Sequence, residues 1–344
     1  MGTEDCSHFD QIRIQNRRMI RNLMRNIPQI GKAELSDISG LSYPTVSALL
    51  SDLCQTGEVI LLPEQATRGG RPAGQFALNP LFQVAACAYV ENHQMFLRVY
   101  DISGKVLSDN TITLTPGICD VEVRDELLAV KTKYPALAIV CLGIPGVVVK
   151  GQITYLPDYP EFHGRFLQDF LEESLSIPVF LENDVNVFVF AEREKWPDLV
   201  HIFHGTNCAG AGILINGTIH RGAHGCAGEV EYLPFEHKGR SVNFCEKLSL
   251  IAADFAGREN EQAKRKERLS CIARAAASIV CLINPPDIAL SGFGLSDEDT
   301  ADLDLALAEL LPSPRCPSFH IVNDIDDLYQ SGLLQIAMDY WKSR

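Results

Sequence analysis

The chain is short of four things, and each shortage narrows its class. No apolar run reaches the roughly 18–20 residues that span a bilayer, so no membrane-crossing helix is expected in its 344 residues. The opening stretch, "MGTEDCSHFDQIRIQNRRMIRNLM", is acidic and then basic and amphipathic, with no apolar core followed by a small-residue cleavage site. A soluble, unexported, cytoplasmic protein is the expectation. The eleven cysteines stand singly, without any C-x-x-C pair. Scattered thiols in apolar surroundings are the habit of reduced core residues, not of disulfide frameworks or structural zinc. Positive charge is also scarce: 30 Lys and Arg face 44 Asp and Glu, a net charge of −14. That total argues at first against a nucleic-acid partner.

The distribution of charge reverses this last exclusion. Residues 1–80 hold eight basic and eight acidic side chains, so the whole deficit lies in residues 81–344, with 22 against 36. Within the neutral segment the cations cluster. Arg13, Arg17, Arg18, Arg21 and Arg25 fall in one helical pattern, and Arg68 and Arg71 fall in a Gly-rich turn. Phosphate responds to such local patches more than to a whole-chain total. With 46% hydrophobic residues the chain has material for two or three compact domains.

Residues 10–26 carry Ile12, Ile14, Ile20, Leu23 and Met24 at helical spacing beside that basic face. "GKAELSDISGLSYPTVSALLSDLCQTGEV" then reads as a short helix over about Lys32–Ser39, a turn at Gly40 and a second helix. Ser42 is placed to cap the second helix and Pro44 lies in its first turn. Ala33, Leu35, Ile38, Leu41, Val46, Leu49, Leu50 and Leu53 supply a shared apolar interior. Helix, glycine turn and helix at this spacing form a helix-turn-helix unit. "GEVILLPEQATRGGRPAGQFALNP" follows as two short strands around a Gly/Pro/Arg loop, the form of a wing. Ser42, Tyr43, Thr45 and Ser47 at the start of the second helix suit groove contacts. Arg68 and Arg71 at the wing tip suit phosphates or a narrow groove. The bland alternative is a three-helix packing element with a surface hairpin. Double-stranded DNA is the expected partner.

Beyond Pro80 strand and helix patterns alternate. "ALAIVCLGIPGVV", "IPVFLEND", "LVHIFHG", "GAGILINGTIHRG" and "DIALSGFG" are apolar runs ending in Gly, Asn or Asp, and "FLRVYDISGKVLSDNTITL" reads as a hairpin. "CDVEVRDELLAVKTKY", "FLQDFLEESL" and "ERLSCIARAAASIVCLINPP" have helical periodicity. The result is a mixed α/β chain.

Several of these segments carry a resemblance. "ELSDISGLSYPTVSALLSDLCQTGEV" with "GGRPAGQFALNP" resembles the winged helix-turn-helix of the ROK family of repressors, open reading frames and kinases. "GIPGVVVKGQITYLPDYPEF", "LENDVNVFVFAERE", "GAGILINGTIHRGAHGCAGEVEYLPF" and "SIVCLINPPDIALSGFG" are similar to that family's sugar-kinase segments. The resemblance implies a winged helix-turn-helix over 1–80. It also implies a two-lobed, actin/hexokinase-like effector and oligomerisation domain over 81–344, its C-terminal helix returning to the first lobe. By the same resemblance a sugar site is expected from Gly146, Asp158, Asn183, Asp184, Glu229, Tyr232 and Glu246. Asp184 matches the family's catalytic base and is assigned here to gripping the ligand. Asn183 adds an amide that both donates and accepts.

The resemblance fails where phosphates and zinc would bind. The family's D-x-G-G-T loop reads Tyr89-Val90-Glu91-Asn92-His93, so the acid is Tyr, and both glycines carry side chains, one of them a carboxylate. The second phosphate loop reads Asn207-Cys208-Ala209-Gly210-Ala211-Gly212, with a glycine lost and the Thr changed. Phosphoryl transfer is almost entirely positioning and charge stabilisation, so no ATP and no catalysis are expected. Tyr232 stands where a zinc-binding His is expected, and only Cys245 remains of three zinc cysteines. One thiol cannot build a Cys₃His site. No zinc is expected, with His237 an ordinary surface residue and Cys245 a core one.

The reading is a transcriptional regulator, a repressor, sensing a small-molecule sugar and working as a homodimer or tetramer on an operator. Two rivals stand beside it: an active sugar kinase with an appended DNA-binding unit, and a ligand-independent DNA-binding dimer. Asp158 lies where relatives often carry Asn, and a carboxylate there disfavours an anionic sugar phosphate. Calorimetry should therefore find a hexose bound more tightly than its 6-phosphate. The reverse order would remove that role from Asp158.

Overall fold

The computed structural model describes residues 8–25, 27–63, 74–149, 151–155, 159, 162, 166–205, 208–255, 260–311 and 316–343. The chain opens with α1 (His8–Arg25), β1 (Ile30–Gly31), α2 (Lys32–Ser39), α3 (Tyr43–Gln55), β2 (Val59–Leu61) and β3 (Gln75–Leu78). Gly40 takes a left-handed conformation, φ 69°, and its N–H closes α2 on the Ser36 carbonyl. The Ser42 side chain accepts from the Thr45 N–H and so caps α3, with Pro44 in the first turn. Such a cap contributes about 1 kcal/mol. The strands pair antiparallel in the order β1-β3-β2. Ile20, Met24, Leu35, Val46, Leu49, Leu50 and Leu53 fill the space beneath them. The apolar interior is narrower than the sequence pattern implies. Ile12, Ile14 and Ile38 are exposed, and Ala33 lies outside as well, because α1 runs past the core at its N-terminal end and α2 is only eight residues long.

Next come β4 (Val84–Glu91), β5 (Gln94–Asp101), β6 (Val106–Thr113), α4 (Cys119–Lys133) and β7 (Leu137–Ile144). They are followed by β8 (Val147–Val149), β9 (Gln152–Tyr155), α5 (Leu167–Leu175), β10 (Val179–Asn183) and α6 (Asp184–Ala191). The next group is β11 (Leu199–His204), β12 (Ala209–Ile215), β13 (Thr218–Ile219), a 3₁₀ turn over Val230–Tyr232, β14 (Pro234–His237) and β15 (Arg240–Asn243). The chain closes with α7 (Phe244–Asp254), α8 (Glu261–Leu282), β16 (Asp287–Ser291), α9 (Asp299–Ala308), β17 (Ser318–Val322) and α10 (Ile325–Ser343).

Two five-stranded sheets result, ordered β10-β7-β4-β5-β6 and β13-β12-β11-β16-β17. In each, the first strand turns back through an antiparallel hairpin and then gains two parallel neighbours on its other side. The two halves thus share one topology, as expected for the actin/hexokinase architecture.

Helix α6 joins the halves. It continues directly from β10 of the first sheet and lies against β12 of the second. Gly210 and Gly212 make this possible, because a methyl group at Gly212 would collide with the Val185 carbonyl oxygen, and one at Gly210 would press on the Val185 side chain. The far end of α6 is tied too. Glu192 meets His201 Nδ1 at 2.8 Å, and His201 Nε2 meets Ser291 Oγ at 2.8 Å. His201 and Ser291 are buried, so this chain of groups fastens helix to sheet. Helix α10 returns to the first sheet, where Tyr329, Leu333, Ala337 and Trp341 pack with Ala85, Cys141 and Val187. At Gly332 it touches the Val187 carbonyl so closely that no side chain fits.

Gly212→Ala should therefore destabilise the fold by about 1–3 kcal/mol through overpacking, read as a lowered thermal midpoint. An unchanged midpoint would mean that α6 can lift from β12 without loss.

Candidate functional site

Strands β4, β7 and β10 run parallel, so their carboxyl ends open on one side, where α/β sheets commonly receive ligands. Glu91 ends β4, Gly146 follows β7, and Asn183 ends β10 as the N-cap of α6. The Asn183 amide is used on both sides. Its Oδ1 accepts from the Asn186 N–H at 3.3 Å, and its Nδ2 donates to the Gly146 carbonyl at 2.8 Å. Asp184 opens the helix and accepts from the Val185 N–H at 2.8 Å. Glu182, one residue before the corner, accepts from Asn186 Nδ2 at 2.9 Å and pairs with Arg221. The run Glu182–Asn186 is therefore one hydrogen-bonded corner.

Burial pushes the Asp184 carboxyl up to about 7. Glu91 and Glu229 add to the rise, and hydrogen bonds from Val185 and Asn183 oppose it. Glu91 is raised by burial and by Asp326, and Glu229 by burial and by Glu231. Glu229 reaches this neighbourhood through its predecessor. Gly228 has φ 95°, its carbonyl accepts from the Ala211 N–H at 2.7 Å, and a methyl group there would strike the Ala211 carbonyl oxygen. Only glycine lets the loop lie so close to β12.

Of the sequence-derived sugar residues, Gly146 and Asn183 touch, and Asp184 and Glu229 feel each other's charge. Glu246 is elsewhere, paired with Arg240 beside the β14–β15 hairpin, and Tyr232 is exposed at the end of the 3₁₀ turn. Asp158 lies outside the described residues. His237 is a correction to the surface assignment: it is buried, with Nδ1 3.2 Å from Lys247 Nζ and Nε2 3.3 Å from Asp254. Cys245 is buried as expected, and burial, Glu231 and Cys208 push its thiol up to about 12. Among the described residues no group of three or more His, Cys, Asp or Glu is arranged to hold a metal ion.

The stretch aligned with the nucleotide loop is a tight turn between β4 and β5, with Asn92 and His93 both left-handed at φ 50° and 55°. The His93 N–H donates to the Tyr159 hydroxyl at 2.7 Å. Tyr89 is buried, stacks on Phe96 at 4.6 Å and on Tyr329 at 4.1 Å, and donates its hydroxyl to Asp326 at 2.7 Å. The Tyr329 ring in turn fills the space above Gly143. The stretch aligned with the second phosphate loop is strand β12 from Ala209 onward, and its surviving glycines serve the contact with α6.

Arg221, Tyr329 and Asp326 were missed by sequence reasoning. Arg221 was visible within the quoted "HRGAHG" run. The other two lie more than 230 positions from Tyr89, on a helix that carries no motif.

At the N-terminal unit, α3 presents Ser42, Tyr43, Thr45 and Ser47. Three of the four hydroxyls are engaged internally: Ser42 Oγ and Thr45 Oγ1 lie 2.8 Å apart, and Ser47 Oγ accepts from Lys32 Nζ at 2.9 Å. Tyr43 is exposed. The basic face of α1 is partly neutralised. Arg13 pairs with Asp52, and Arg17 and Arg21 both pair with Glu58. Arg68 and Arg71 lie outside the described residues.

Residues 92–247 match the model of the ROK family. The chain is 23% identical over 239 residues to the Xylose repressor of Bacillus spizizenii, covering 66% of this chain and 62% of that protein. It is 25% identical over 276 residues to the DNA-binding transcriptional dual regulator NagC of Escherichia coli, covering 74% and 66%. The chain thus spans less than two thirds of the length of these curated relatives. Among solved structures, a ROK family transcriptional regulator titled a homolog of the E. coli MLC protein superposes with a TM-score of 0.71 at 17% identity. That match covers 97% of this chain and 98% of the other. Structures titled as sugar kinases share the fold over 74–75% of the chain. Among the described residues no helix is long and apolar enough to cross a membrane.

Asp184 also sets a pH dependence. Its folded value of about 7 lies above the ordinary 3.8, so the folded state holds a proton that the unfolded state releases as pH rises. Stability is lost between those values. Asp184→Asn should therefore gain on the wild type from pH 4 upward and hold a constant lead above pH 7, read from denaturation midpoints. A lead that does not change with pH would remove the raised carboxyl.

Proposed function

We propose, from the match of residues 92–247 to the ROK family, a DNA-binding transcriptional repressor that senses a sugar without phosphorylating it. Residues 1–80 read an operator, and residues 81–344 hold the effector and join the copies of a homodimer or tetramer in the cytoplasm. The observation that carries the reading is the Phe96–Tyr89–Tyr329 stack. Aromatic rings closed by the bond from Tyr89 to Asp326 stand where phosphate-binding backbone would be needed, and Glu91 adds a repelling charge. The polar corner of Asn183, Asp184 and Glu229 remains beside them. A guest there can alter DNA affinity only by as much as it discriminates between two arrangements of the protein.

The chemistry asked of Asp184 is to accept a hydrogen bond from a hydroxyl of the guest. Asn183, whose amide is committed to Asn186 and Gly146, fixes the corner instead of reaching outward, and no metal or nucleotide takes part. A second reading has one observation in its favour. A carboxyl held at about 7 is suited to general-base work, as a sugar kinase would need. An ATPase assay over a sugar panel separates the two, with background turnover expected throughout.

Fluorescence anisotropy on upstream DNA tests the regulator directly. Arg71→Ala should weaken DNA binding at least tenfold while the thermal shift caused by sugar persists. Asp184→Asn should keep DNA binding and lose the sugar response. Loss of DNA binding in Asp184→Asn would contradict the gripping role.

A further inference from the structure

On the sugar-sensing reading, charge narrows the ligand further. Glu91 ends β4 and Asp184 opens α6 at the carboxyl ends of one parallel strand set, Glu229 stands on the loop that Gly228 holds against β12, and Asp326 at the start of α10 accepts the Tyr89 hydroxyl at 2.7 Å. Among the described residues, Arg221 pairs with neighbouring Glu182, and no ion pair is formed by Glu91, Asp184 or Glu229. Independent of that charge, the Tyr329 hydroxyl is buried, with the residue 3% exposed, and has no hydrogen-bond partner. It sits over Gly143 in mid-sheet, and Gly143 is the register partner of Glu182, two residues before Asp184. A buried hydroxyl without a partner is costly, and this one lies beside the corner that carries Asp184.

We propose that the guest of this site carries an ammonium group, as a 2-amino sugar with a free amine does, seated among Glu91, Asp184 and Glu229 with the Tyr329 hydroxyl as a further acceptor. An ammonium donates three hydrogen bonds and no acceptor is wasted on it. Its bonds to carboxylates are roughly twice as strong as those of a neutral hydroxyl, and it relieves their mutual repulsion. A divalent metal is the poorer match. It needs carboxylate oxygens converging within about 2.0–2.6 Å, and no group of described residues is arranged to hold a metal ion.

Calorimetry on the full chain at neutral pH tests this with glucosamine, mannosamine and galactosamine against glucose, mannose and galactose, and with magnesium or calcium chloride alone. One amino sugar should bind at least tenfold more tightly than its neutral parent. Glu91→Gln and Glu229→Gln, each checked for folding by circular dichroism, should reduce that ratio below threefold. A neutral parent binding as tightly as its amine would overturn the ammonium assignment and leave sugar sensing intact. So would a ratio that both variants preserve, or a bare metal binding through Glu91 without amine preference. Binding of none of the six sugars would overturn this proposal and sugar sensing together.

Discussion

The contact between α6 and β12 is the constraint on which the molecule turns. At Gly212 the strand leaves room for a helix carbonyl and nothing else, and Gly210 receives the Val185 side chain beside it. The same strand accepts the Gly228 loop through Ala211. One short segment therefore sets both the corner that holds Asp184 and the loop that holds Glu229. Their mutual electrostatic influence follows from backbone packing, not from any bond between them. Dispersion and close packing fix the helix, and the helix fixes the charge.

Local signals in the sequence were faithful where short-range chemistry decides the structure. Lys32–Ser39, the Gly40 turn and the Ser42 cap were legible because caps and left-handed glycines act within four residues. The apolar runs and helical periodicities beyond Pro80 became the two sheets and their covering helices, and the paired acid and amide at 183–184 did mark a strand-to-helix corner. Long-range partners were not legible. Nothing around Tyr89 announces that a helix 237 positions later supplies Asp326 for its hydroxyl. The glycines of "NCAGAG" read as remnants of a phosphate loop, yet their service is to a helix, since a glycine motif records close approach without naming what approaches. The basic stripe of α1 likewise showed its charge but not Asp52 and Glu58, which neutralise much of it.

Polar residues at the start of α3 illustrate how a side chain can serve structure before anything else. Ser42 caps, Ser47 accepts from Lys32, and Thr45 bonds to Ser42, so these groups hold α3 in its orientation. Tyr43 is left as the open side chain among the four. Position and contact are thereby divided among neighbours on a single helical turn.

The placement of α6 has a mechanical consequence. It grows out of one sheet, lies on the other, and is fastened at its far end through Glu192, His201 and Ser291. Any swing between the halves must pivot near this helix, so Asp184 sits close to the axle, where displacement is smallest. Helix α10 packs on α6 at Gly332, and its last turn shares a cleft of about 620 Å³ with Gln15, Arg18 and Met19 of α1. From Gly332 to Ser343 it runs about 16 Å, so a tilt of roughly 5° at the axle would move the far tip by about 1.4 Å. Geometry alone would turn a slight adjustment beside the carboxylates into a stroke at the first helix of about one residue's helical rise.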